Sequence, residues 1–318
     1  MFSPRIIFFG TPDFAVASLK RLIAENYAVV AVVTAPDRPA GRGLKLKPSP
    51  VKSVALEYNI PVLQPVKLRD PFFLNQLDDF HADLQIVIAF RMLPHEVWSK
   101  PPLGTFNLHA SLLPQYRGAA PVQWALINGE KETGVTTFLL DEKIDEGRIL
   151  LHEKLIIGEE ETAGLLHDRL MDAGAGLVIR TIEGLVSGTL HPTAQPTIPK
   201  LRQAPKINKE DCRIRWDQPA QALYNFIRGL SPYPGAFAEW CRPNGEILHL
   251  KILKATPLHE PFAGRPGQGF TDGHSWLKFG TTDGFISILE LQLSGRKAMT
   301  VADFLRGYGK VISEILDC

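Results

Sequence analysis

Apolar, β-branched runs in the first half of the chain constrain the fold more than any other feature of the sequence. Strand-like runs occupy residues 5–9, 28–34, 61–63, 84–89, 105–109 and 135–140. Segments with helical periodicity separate them, for example residues 14–25. Such continuous apolar character is typical of parallel strands that helices cover on both faces. We therefore predict a Rossmann-like α/β domain with a doubly wound, mostly parallel sheet.

The sequence changes character after residue 188. Residues 189–207 contain four prolines and no hydrophobic periodicity, which indicates a linker. Beyond it, ILHLKILKA and GFISILELQL alternate apolar and polar residues with the period of two that half-buried strands show. We predict an α/β domain over 1–188, a linker over 189–207 and a C-terminal β-barrel of the oligonucleotide-binding (OB) type over 208–318.

Composition disfavours several classes of protein. The formal net charge of +1 gives no overall attraction to nucleic acids or membranes, so any electrostatic argument depends on local clusters. The three cysteines are far apart and show no metal-ligand spacing, so we expect a reducing compartment and no metal site. The longest apolar runs are too short to span a bilayer, and no targeting segment is evident. A cytoplasmic protein without a membrane segment is therefore predicted.

The first predicted strand ends in GTPDF, residues 10–14, directly before a helix. A dinucleotide site at this position requires Gly-x-Gly-x-x-Gly, and only Gly10 is present. An NAD-dependent oxidoreductase is therefore disfavoured. The loop is either a tight turn that starts the helix or one wall of a substrate crevice at the carboxyl ends of the strands.

An asparagine and a histidine end the strand predicted at residues 105–109. Because side chains two residues apart on a strand point the same way, Asn107 and His109 share a face. Their position at the carboxyl end of a parallel strand is where open α/β sheets keep their active sites. An amide and an imidazole side by side can donate hydrogen bonds to an oxygen that gains negative charge, which contributes about 3 kcal/mol to transition-state stabilisation.

An acidic residue in a later loop is the third candidate. Asp145, in the sequence Asp-Glu-Gly, follows the strand predicted at 135–140. It could orient the imidazole of His109 or accept a proton from a nucleophile. A single histidine at a strand end is more often structural than catalytic, and a loop aspartate is usually a solvated surface residue. Spacing alone leaves these alternatives open.

Longer segments carry a family resemblance. NLHASLLPQYRGAAPVQWALINGEKETGVTTFLLDEKIDEG contains Asn-x-His, Ser-Leu-Leu-Pro, Arg-Gly and a later Asp-x-Gly, and it resembles the signature of the folate-dependent formyltransferases. GTPDFAVASLKRLI and APDRPAGRGLKLKPSPVK extend the resemblance towards the members that act on methionyl-tRNA. It covers essentially the whole chain. It implies transfer of a formyl group from the co-substrate 10-formyltetrahydrofolate to the α-amino group of methionine on initiator tRNA, in a monomeric enzyme.

The resemblance also implies roles for individual residues. Asn107 and His109 would hold the oxygen of the tetrahedral intermediate, and Asp145 would position His109 and assist proton transfer. No metal takes part. The residues implied to bind the folate are Phe90, Arg91, Met92, Leu93, Ser111, Leu112, Leu113, Pro114 and Asp141.

One segment departs from the family pattern. The family has Tyr-Gly followed by three apolar residues where this chain has AFRMLP, which is one residue shorter and lacks the glycine. Arg91 is similar instead to the Arg-Ile-Leu of the relatives that formylate glycinamide ribonucleotide. We expect Met92 and Leu93 to keep the apolar lining of the pterin site.

Two basic segments indicate how the acceptor binds. The loop between Pro36 and Lys52 is rich in glycine, proline and basic residues, as exposed functional loops often are. A second basic stretch runs from Lys200 to Arg215 and suits contact with a nucleic-acid backbone, although such runs are often simply solvated. The residues that the resemblance implies for methionyl-tRNA are Phe14, Arg38, Arg42, Lys45 and Lys206.

Competing functions share parts of this pattern. A formyltransferase for nucleotide-linked amino sugars has the same core, but the basic loop at 35–52 disfavours it. Formylation of glycinamide ribonucleotide requires only the first domain. An RNA-binding protein on a decayed enzyme core is disfavoured because Asn107, His109 and Asp145 are all intact.

Overall fold

The computed structural model describes residues 3–40, 45–241, 247–308 and 316–317. The chain divides into two compact units that interleave along the sequence. Unit 1 comprises Met1–Gly118, Glu132–Ile156 and His167–Ala204, and unit 2 comprises Ala119–Lys131, Ile157–Leu166 and Pro205–Cys318. The domain bounds given by the sequence stay a prediction, because they divide the chain at single points whereas the two units exchange segments.

The elements up to residue 204 alternate between strands and helices. They are β1 (Arg5–Gly10), α1 (Asp13–Ala24), β2 (Ala28–Val33), β3 (Arg38–Ala40), β4 (Lys45–Lys47), α2 (Pro50–Glu57), β5 (Val62–Leu63), α3 (Pro71–Asp79), β6 (Leu84–Ile88), α4 (His95–Trp98), β7 (Thr105–His109), β8 (Arg117–Gly118), α5 (Pro121–Ile127), β9 (Glu132–Leu139), β10 (Ile149–Ile156), α6 (Ala163–Val186) and β11 (Gln203–Ala204). Of these, α5 and the first turn of α6 belong to unit 2.

A seven-stranded sheet forms the centre of unit 1, with the order β10-β9-β7-β6-β1-β2-β5. The strands from β7 to β5 are parallel, whereas β9 and β10 join as antiparallel strands at one edge. Almost every residue of β1 and β6 is buried, as expected for strands covered on both faces. By contrast, β10 is an edge strand, and most of its length alternates between half-buried and exposed residues. The predicted doubly wound, mostly parallel sheet is confirmed.

The strand order reverses its direction beside β1. From β1 the chain proceeds to β2 and β5 on one side, and then returns to β6 and β7 on the other. Such a reversal separates the loops that follow β1 and β6, and ligands of open α/β sheets bind there, at the carboxyl ends of the strands. These ends are Gly10 in β1, Ile88 in β6 and His109 in β7.

Unit 2 contains the C-terminal sheet. Its further elements are a short 3-10 helix (Glu210–Cys212), α7 (Ala220–Leu230), β12 (Ala236–Cys241), β13 (Ile247–Leu258), β14 (Gly269–Thr271), β15 (Leu277–Gly280), β16 (Phe285–Leu293), β17 (Met299–Thr300), α8 (Val301–Tyr308) and β18 (Leu316–Asp317). The sheet order is β14-β15-β16-β13-β12-β18, with β17 on β16, and the pairs are antiparallel. The predicted β-rich C-terminal domain is confirmed.

The core of unit 2 forms between this sheet and α7. Leu223 and Ile227 of α7 pack in one cluster with Ile252 of β13 and Ile286 of β16. Trp216 adds an aromatic stack on Phe279, with ring centroids 4.6 Å apart. Among the described residues, none of the helices is both long and apolar enough to cross a membrane.

Candidate active site

His109 ends β7 with its ring almost fully buried, at 7% exposure. Its Nε2 lies 2.8 Å from the carbonyl oxygen of Tyr116. Because a carbonyl oxygen can only accept a hydrogen bond, Nε2 must carry a proton and donate it. In the neutral ring, Nδ1 therefore holds the lone pair and is the nitrogen that can gain a proton.

The Tyr116 peptide that orients His109 is itself held in place. Tyr116 has a left-handed backbone, with φ of +60°, and its N–H donates to the carbonyl oxygen of Arg202 at 2.7 Å. Arg202 directly precedes β11, which pairs with β8 in parallel. The orientation of the imidazole thus depends on a segment more than ninety residues further along the chain.

Asp145 faces the other nitrogen of His109. Its Oδ2 lies 4.0 Å from Nδ1 and accepts a hydrogen bond from the Gly118 N–H at 2.9 Å. The 4.0 Å separation is too long for a hydrogen bond, but a carboxylate so close stabilises a protonated ring electrostatically. The structure therefore brings together two of the three candidate catalytic residues, which lie on different segments of the chain.

Glycines allow these segments to approach. Gly147 follows Asp145 in the Asp-x-Gly motif, and a Cβ there would lie 1.7 Å from the carbonyl oxygen of Leu139. Gly118, of the Arg-Gly motif, has φ of +123°, and a Cβ there would lie 2.4 Å from the carbonyl oxygen of Ala204. A residue with a side chain would push either loop away from its neighbour.

Asn107, the third candidate, lies two residues before His109 on β7. It is half-buried, and its neighbours across the sheet are Val87 of β6 and Phe138 of β9. The alternation of a strand places it on the face that carries His109. Its role as a hydrogen-bond donor stays a prediction.

The Ser-Leu-Leu-Pro loop after β7 is attached to β9. Thr136 donates its hydroxyl to the carbonyl oxygen of Ser111 at 2.6 Å and accepts from the N–H of Leu113 at 3.2 Å. Ser111 is fully buried and donates its own hydroxyl to the carbonyl oxygen of Gln115. Of the residues predicted to bind folate here, Leu113 and Pro114 are buried and Leu112 is half-buried.

The predicted pterin loop follows β6. Leu93 is buried in a cluster that also includes Val87, and Phe90 and Leu140 pack against that cluster. Phe90 makes an edge contact with Phe9 of β1, with ring centroids 5.7 Å apart. The structure thus brings the segment after β6 next to the segment that leads to Asp141. Asp141 and Met92 are exposed, with Met92 at 69%.

Arg91 anchors this loop instead of extending from it. Its guanidinium donates to the carbonyl oxygens of Pro65 and Val66, the latter at 2.9 Å. Desolvation lowers the pKa of Arg91, and the positive charge of Arg38 lowers it further. Ala89, the first residue of this loop, has φ of +48°, a left-handed backbone that residues other than glycine adopt at a cost.

Phe14, predicted to contact the methionyl side chain, lies in the first turn of α1. It is largely buried, and its ring meets the edge of the His167 ring with centroids 5.2 Å apart. The contact between Phe14 and His167 could not be predicted from the local sequence, because α6 is far from α1 in the chain.

The predicted tRNA contacts lie on several segments. Arg38, in the β3–β4 hairpin, and Lys206 are exposed. Lys45 contributes its backbone to β4, and Arg42 lies outside the described residues. Lys52, at the end of the basic loop, donates to Asp37 at 2.6 Å and to Gln64 at 2.8 Å.

The Asp37–Lys52 pair has a structural role at the stem of the basic loop. Gln64 completes it by donating to Asp37 and to the carbonyl oxygen of Ala35, each at 2.8 Å. The hydrogen bond from Lys52, followed by that from Gln64, lowers the pKa of Asp37. The charge of Lys52 is thus engaged within the protein.

Several residues that organise the site do not stand out in the sequence. Tyr116 and Thr136 act through backbone and hydroxyl contacts that leave no motif, and Gln195 lies in the proline-rich linker. The Arg-Gly motif drew attention to Arg117 and Gly118, but the sequence did not indicate a role for either residue. Across the part of the chain that the structure describes, no group of three or more His, Cys, Asp or Glu side chains is arranged to hold a metal ion.

Two protein-family models together match most of the chain. Residues 4–182 match the model described as "Formyl transferase", and residues 206–309 match "Formyl transferase, C-terminal domain". Among solved structures, the N-formyltransferase of Helicobacter canadensis, in complex with folinic acid and dTDP-3-aminofucose, has a TM-score of 0.61 at 20% identity, over 90% of this chain and 98% of that one. HypX of Aquifex aeolicus in complex with tetrahydrofolic acid has a TM-score of 0.62 at 20% identity, and the chain spans only 48% of its length.

Similar full-length relatives identify the family. The methionyl-tRNA formyltransferase of Bacteroides thetaiotaomicron is 50% identical over 307 residues, which cover 96% of this chain and 95% of the relative. That of Flavobacterium johnsoniae is 50% identical over 305 residues, 95% of this chain and 96% of the relative. The chain belongs to the formyl transferase family, as a homologue of the methionyl-tRNA formyltransferases.

Proposed function

We propose that this chain transfers a formyl group from 10-formyltetrahydrofolate to the α-amino group of methionyl initiator tRNA, for translation initiation in the cytoplasm. The observation that carries the chemistry is the pairing of a buried His109 with the Asp145 carboxylate at the carboxyl edge of the sheet. The choice of acceptor rests on the methionyl-tRNA formyltransferases that are about half identical to it. We expect it to act as a monomer.

We propose a task for each catalytic candidate. With Nε2–H directed to Tyr116, a protonated His109 has Nδ1–H left to donate. Nδ1–H and the Asn107 amide are the two donors for the oxygen that gains negative charge during acyl transfer. Asp145 stabilises the protonated ring and is the carboxylate beside it that can take up a proton. Alignment of both substrates removes part of the entropic barrier.

The residues present fit a folate. Phe90 and Leu140 are half-buried and pack against the cluster that contains buried Leu93, so they offer an apolar surface suited to a flat pterin ring. When bound, the folate supplies the formyl group. The Ser111–Pro114 loop, fastened to β9 through Thr136, provides a fixed wall beside His109. Asp141 is exposed at the start of the loop after β9; its Oδ1 accepts from the Lys143 N–H at 2.9 Å, and the carboxylate has further acceptor capacity.

Exposed basic residues support the proposal that the acceptor is a tRNA. Arg38 is exposed on a hairpin whose stem the Asp37–Lys52 pair holds in place, and Arg42 and Lys45 belong to the same loop. Exposed Lys206 follows β11. Contacts of this kind with phosphates make binding salt-dependent, so affinity for charged tRNA should fall steeply as salt increases. Phe14 is the candidate for contact with the methionyl side chain.

A direct assay of the product tests this function. The purified protein is incubated with 10-formyltetrahydrofolate and either charged initiator tRNA or a UDP-linked amino sugar, and mass spectrometry identifies the product that gains a formyl group. We expect formylation of the methionyl-tRNA alone. Formylation of the amino sugar alone would refute the proposed acceptor, and absence of both products would refute the reaction.

A further inference from the structure

Gln195 connects two loops of the site through its side-chain amide. Its Nε2 donates to the carbonyl oxygens of Asp145 and Gly147, at 2.8 and 2.9 Å. Its Oε1 accepts from Nε and Nη2 of Arg117, at 3.1 and 2.7 Å. A side-chain amide has two N–H donors and two acceptor lone pairs, so these contacts use its full capacity.

The contacts form a closed circuit around Asp145. Arg117 directly precedes Gly118, whose N–H donates to the Asp145 carboxylate. Gln195 receives from Arg117 and donates to the Asp145 carbonyl. Arg117 also pairs with Glu146 at 3.1 Å. Both the carboxylate and the backbone of Asp145 are therefore held by one hydrogen-bonded ring.

Asp145 needs such support because its backbone is strained. Its φ of +55° is a left-handed conformation that residues other than glycine adopt at a cost. The Gln195 amide donates to the carbonyl oxygens of Asp145 and Gly147, and these two hydrogen bonds oppose relaxation of the strained turn. Relaxation would turn the carboxylate away from Nδ1 of His109.

The backbone near Gln195 is fixed independently of its side chain. Thr193, two residues earlier, pairs with Ile149 at the start of β10, with both N–H···O distances at 2.8 Å. The Thr193 hydroxyl donates to the carbonyl oxygen of His191, at 3.4 Å. Gln195 thus extends from an anchored segment, and substitution of its side chain should leave that anchor in place.

We propose that Gln195 is a positioning residue that holds Asp145 against His109. This inference rests on the proposed function, because it assigns Gln195 a task in the same reaction. The donors of its amide perform that task, and the contact with Arg117 orients the amide so that Nε2 faces the two carbonyls.

Two substitutions separate the donors from the acceptor. Gln195→Met removes all four hydrogen bonds with little change in size. Gln195→Glu keeps the oxygen that faces Arg117 and replaces the donor with a second oxygen. We expect both to lower kcat about tenfold and to leave the KM for the folate within about twofold, since displacement of a catalytic group by a fraction of an ångström has effects of this order. Recovery of activity in Gln195→Glu would overturn the proposal in favour of the Arg117 contact.

A double-mutant cycle tests whether Gln195 acts through Asp145. Single-turnover formylation with excess enzyme compares wild type, Gln195→Met, Asp145→Asn and the double variant. If the amide acts through the carboxylate, Gln195→Met should slow the Asp145→Asn enzyme by less than about twofold. Additive losses would show that Gln195 acts elsewhere and would overturn the proposal.

Controls distinguish the possible failures. Thr193→Ala changes the same segment without touching the circuit, and we expect its kcat to match wild type. If Thr193→Ala loses as much kcat as Gln195→Met, the effect belongs to the linker in general and the proposal is overturned. The same conclusion follows if only Gln195→Met has a lower thermal midpoint, and that decrease parallels its loss of activity. An inactive wild type would instead refute the proposed function, whereas an active wild type with a fully active Gln195→Met would refute only the role of Gln195.

Discussion

The two sides of the site are held by different forces. We call one side the transfer corner; it consists of His109, Tyr116, Gly118, Asp145 and Gln195. Each contact there is a hydrogen bond or charge contact between different segments of the chain. On the other side, the pterin loop (residues 89–93), the main support is apolar packing, supplemented by the guanidinium of Arg91. The hydrogen bonds of the transfer corner orient its side chains, whereas the side chains of residues 89–93 mainly contribute packing.

This difference predicts how each side responds to substitution. A hydrogen-bonded network fails when one partner moves or is lost, because its remaining polar groups stay buried without partners. Apolar packing tolerates changes that keep volume and pattern. The Asn-x-His, Arg-Gly and Asp-x-Gly motifs lie at or beside the transfer corner, whereas residues 89–93 have the sequence AFRML. The comparison predicts losses of kcat at the first side and graded changes in the KM for the folate at the second.

Removal of the imidazole should give the largest effect. We expect His109→Ala to lower kcat about 10³-fold, because the variant loses both a donor to the developing charge and the group that exchanges protons. Folate affinity should change less than about twofold, since the pterin side does not depend on hydrogen bonds of His109. Steady-state formylation and fluorescence titration with folate measure the two quantities. A variant with full turnover would remove His109 from the mechanism.

A substitution at Gly147 should break the same side through the backbone. The Cβ of Gly147→Ala would lie 1.7 Å from the Leu139 carbonyl oxygen, so the Asp145 loop must move. We expect kcat to fall about 10²-fold, as for a catalytic group displaced by about 1 Å.

Gly176→Ala is the matched control, because a Cβ there meets nothing within 4 Å in α6. It should keep full activity and gain about 0.5–1 kcal/mol of stability in chemical unfolding. Equal activity in the two alanine variants would show that the Asp145 loop tolerates displacement.

The sequence predicted the sheet well because its signals are local. Continuous apolar runs indicated the parallel strands, and helical periodicity at 14–25 corresponds to α1. The edge strand β10 escaped prediction, since ILLHEKLI mixes charged and apolar residues as an edge strand does. The β3–β4 hairpin was likewise hidden within a loop rich in proline and glycine.

The transfer corner could be predicted only in part. The two-residue spacing of Asn107 and His109 gave a shared face, and the Asp-x-Gly motif gave Asp145. Gln195 could not be found in this way, because its partners lie 48 to 78 positions earlier in the chain. A linker without periodicity carries no local signal of contacts that only the folded chain creates.

On the pterin side, loss of the Arg91 anchor should give a graded effect. Arg91→Met removes the bonds to the Pro65 and Val66 carbonyls while most of the side-chain volume remains. We expect the KM for the folate to rise about fivefold, with kcat within about twofold, because the loop loosens while the transfer corner is intact. Steady-state kinetics with varied folate provide the measurement. In the control Lys100→Met, loss of the surface pair with Asp78 should change neither constant; a lower kcat in Arg91→Met would show that the two sides are coupled.

The smallest effect is expected at an exposed apolar residue of the pterin loop. Met92 is 69% exposed, so Met92→Ala should change the free energy of unfolding by less than about 0.5 kcal/mol. If its side chain covers the pterin, the KM for the folate should rise about twofold, in proportion to the apolar area lost. Leu93→Ala, one residue further and 5% exposed, should instead destabilise the protein by about 2–5 kcal/mol. Urea unfolding and folate kinetics on these two variants distinguish a residue that lines the pterin site from one that supports the loop. A Met92→Ala enzyme with an unchanged KM for the folate would exclude that side chain from the pterin site.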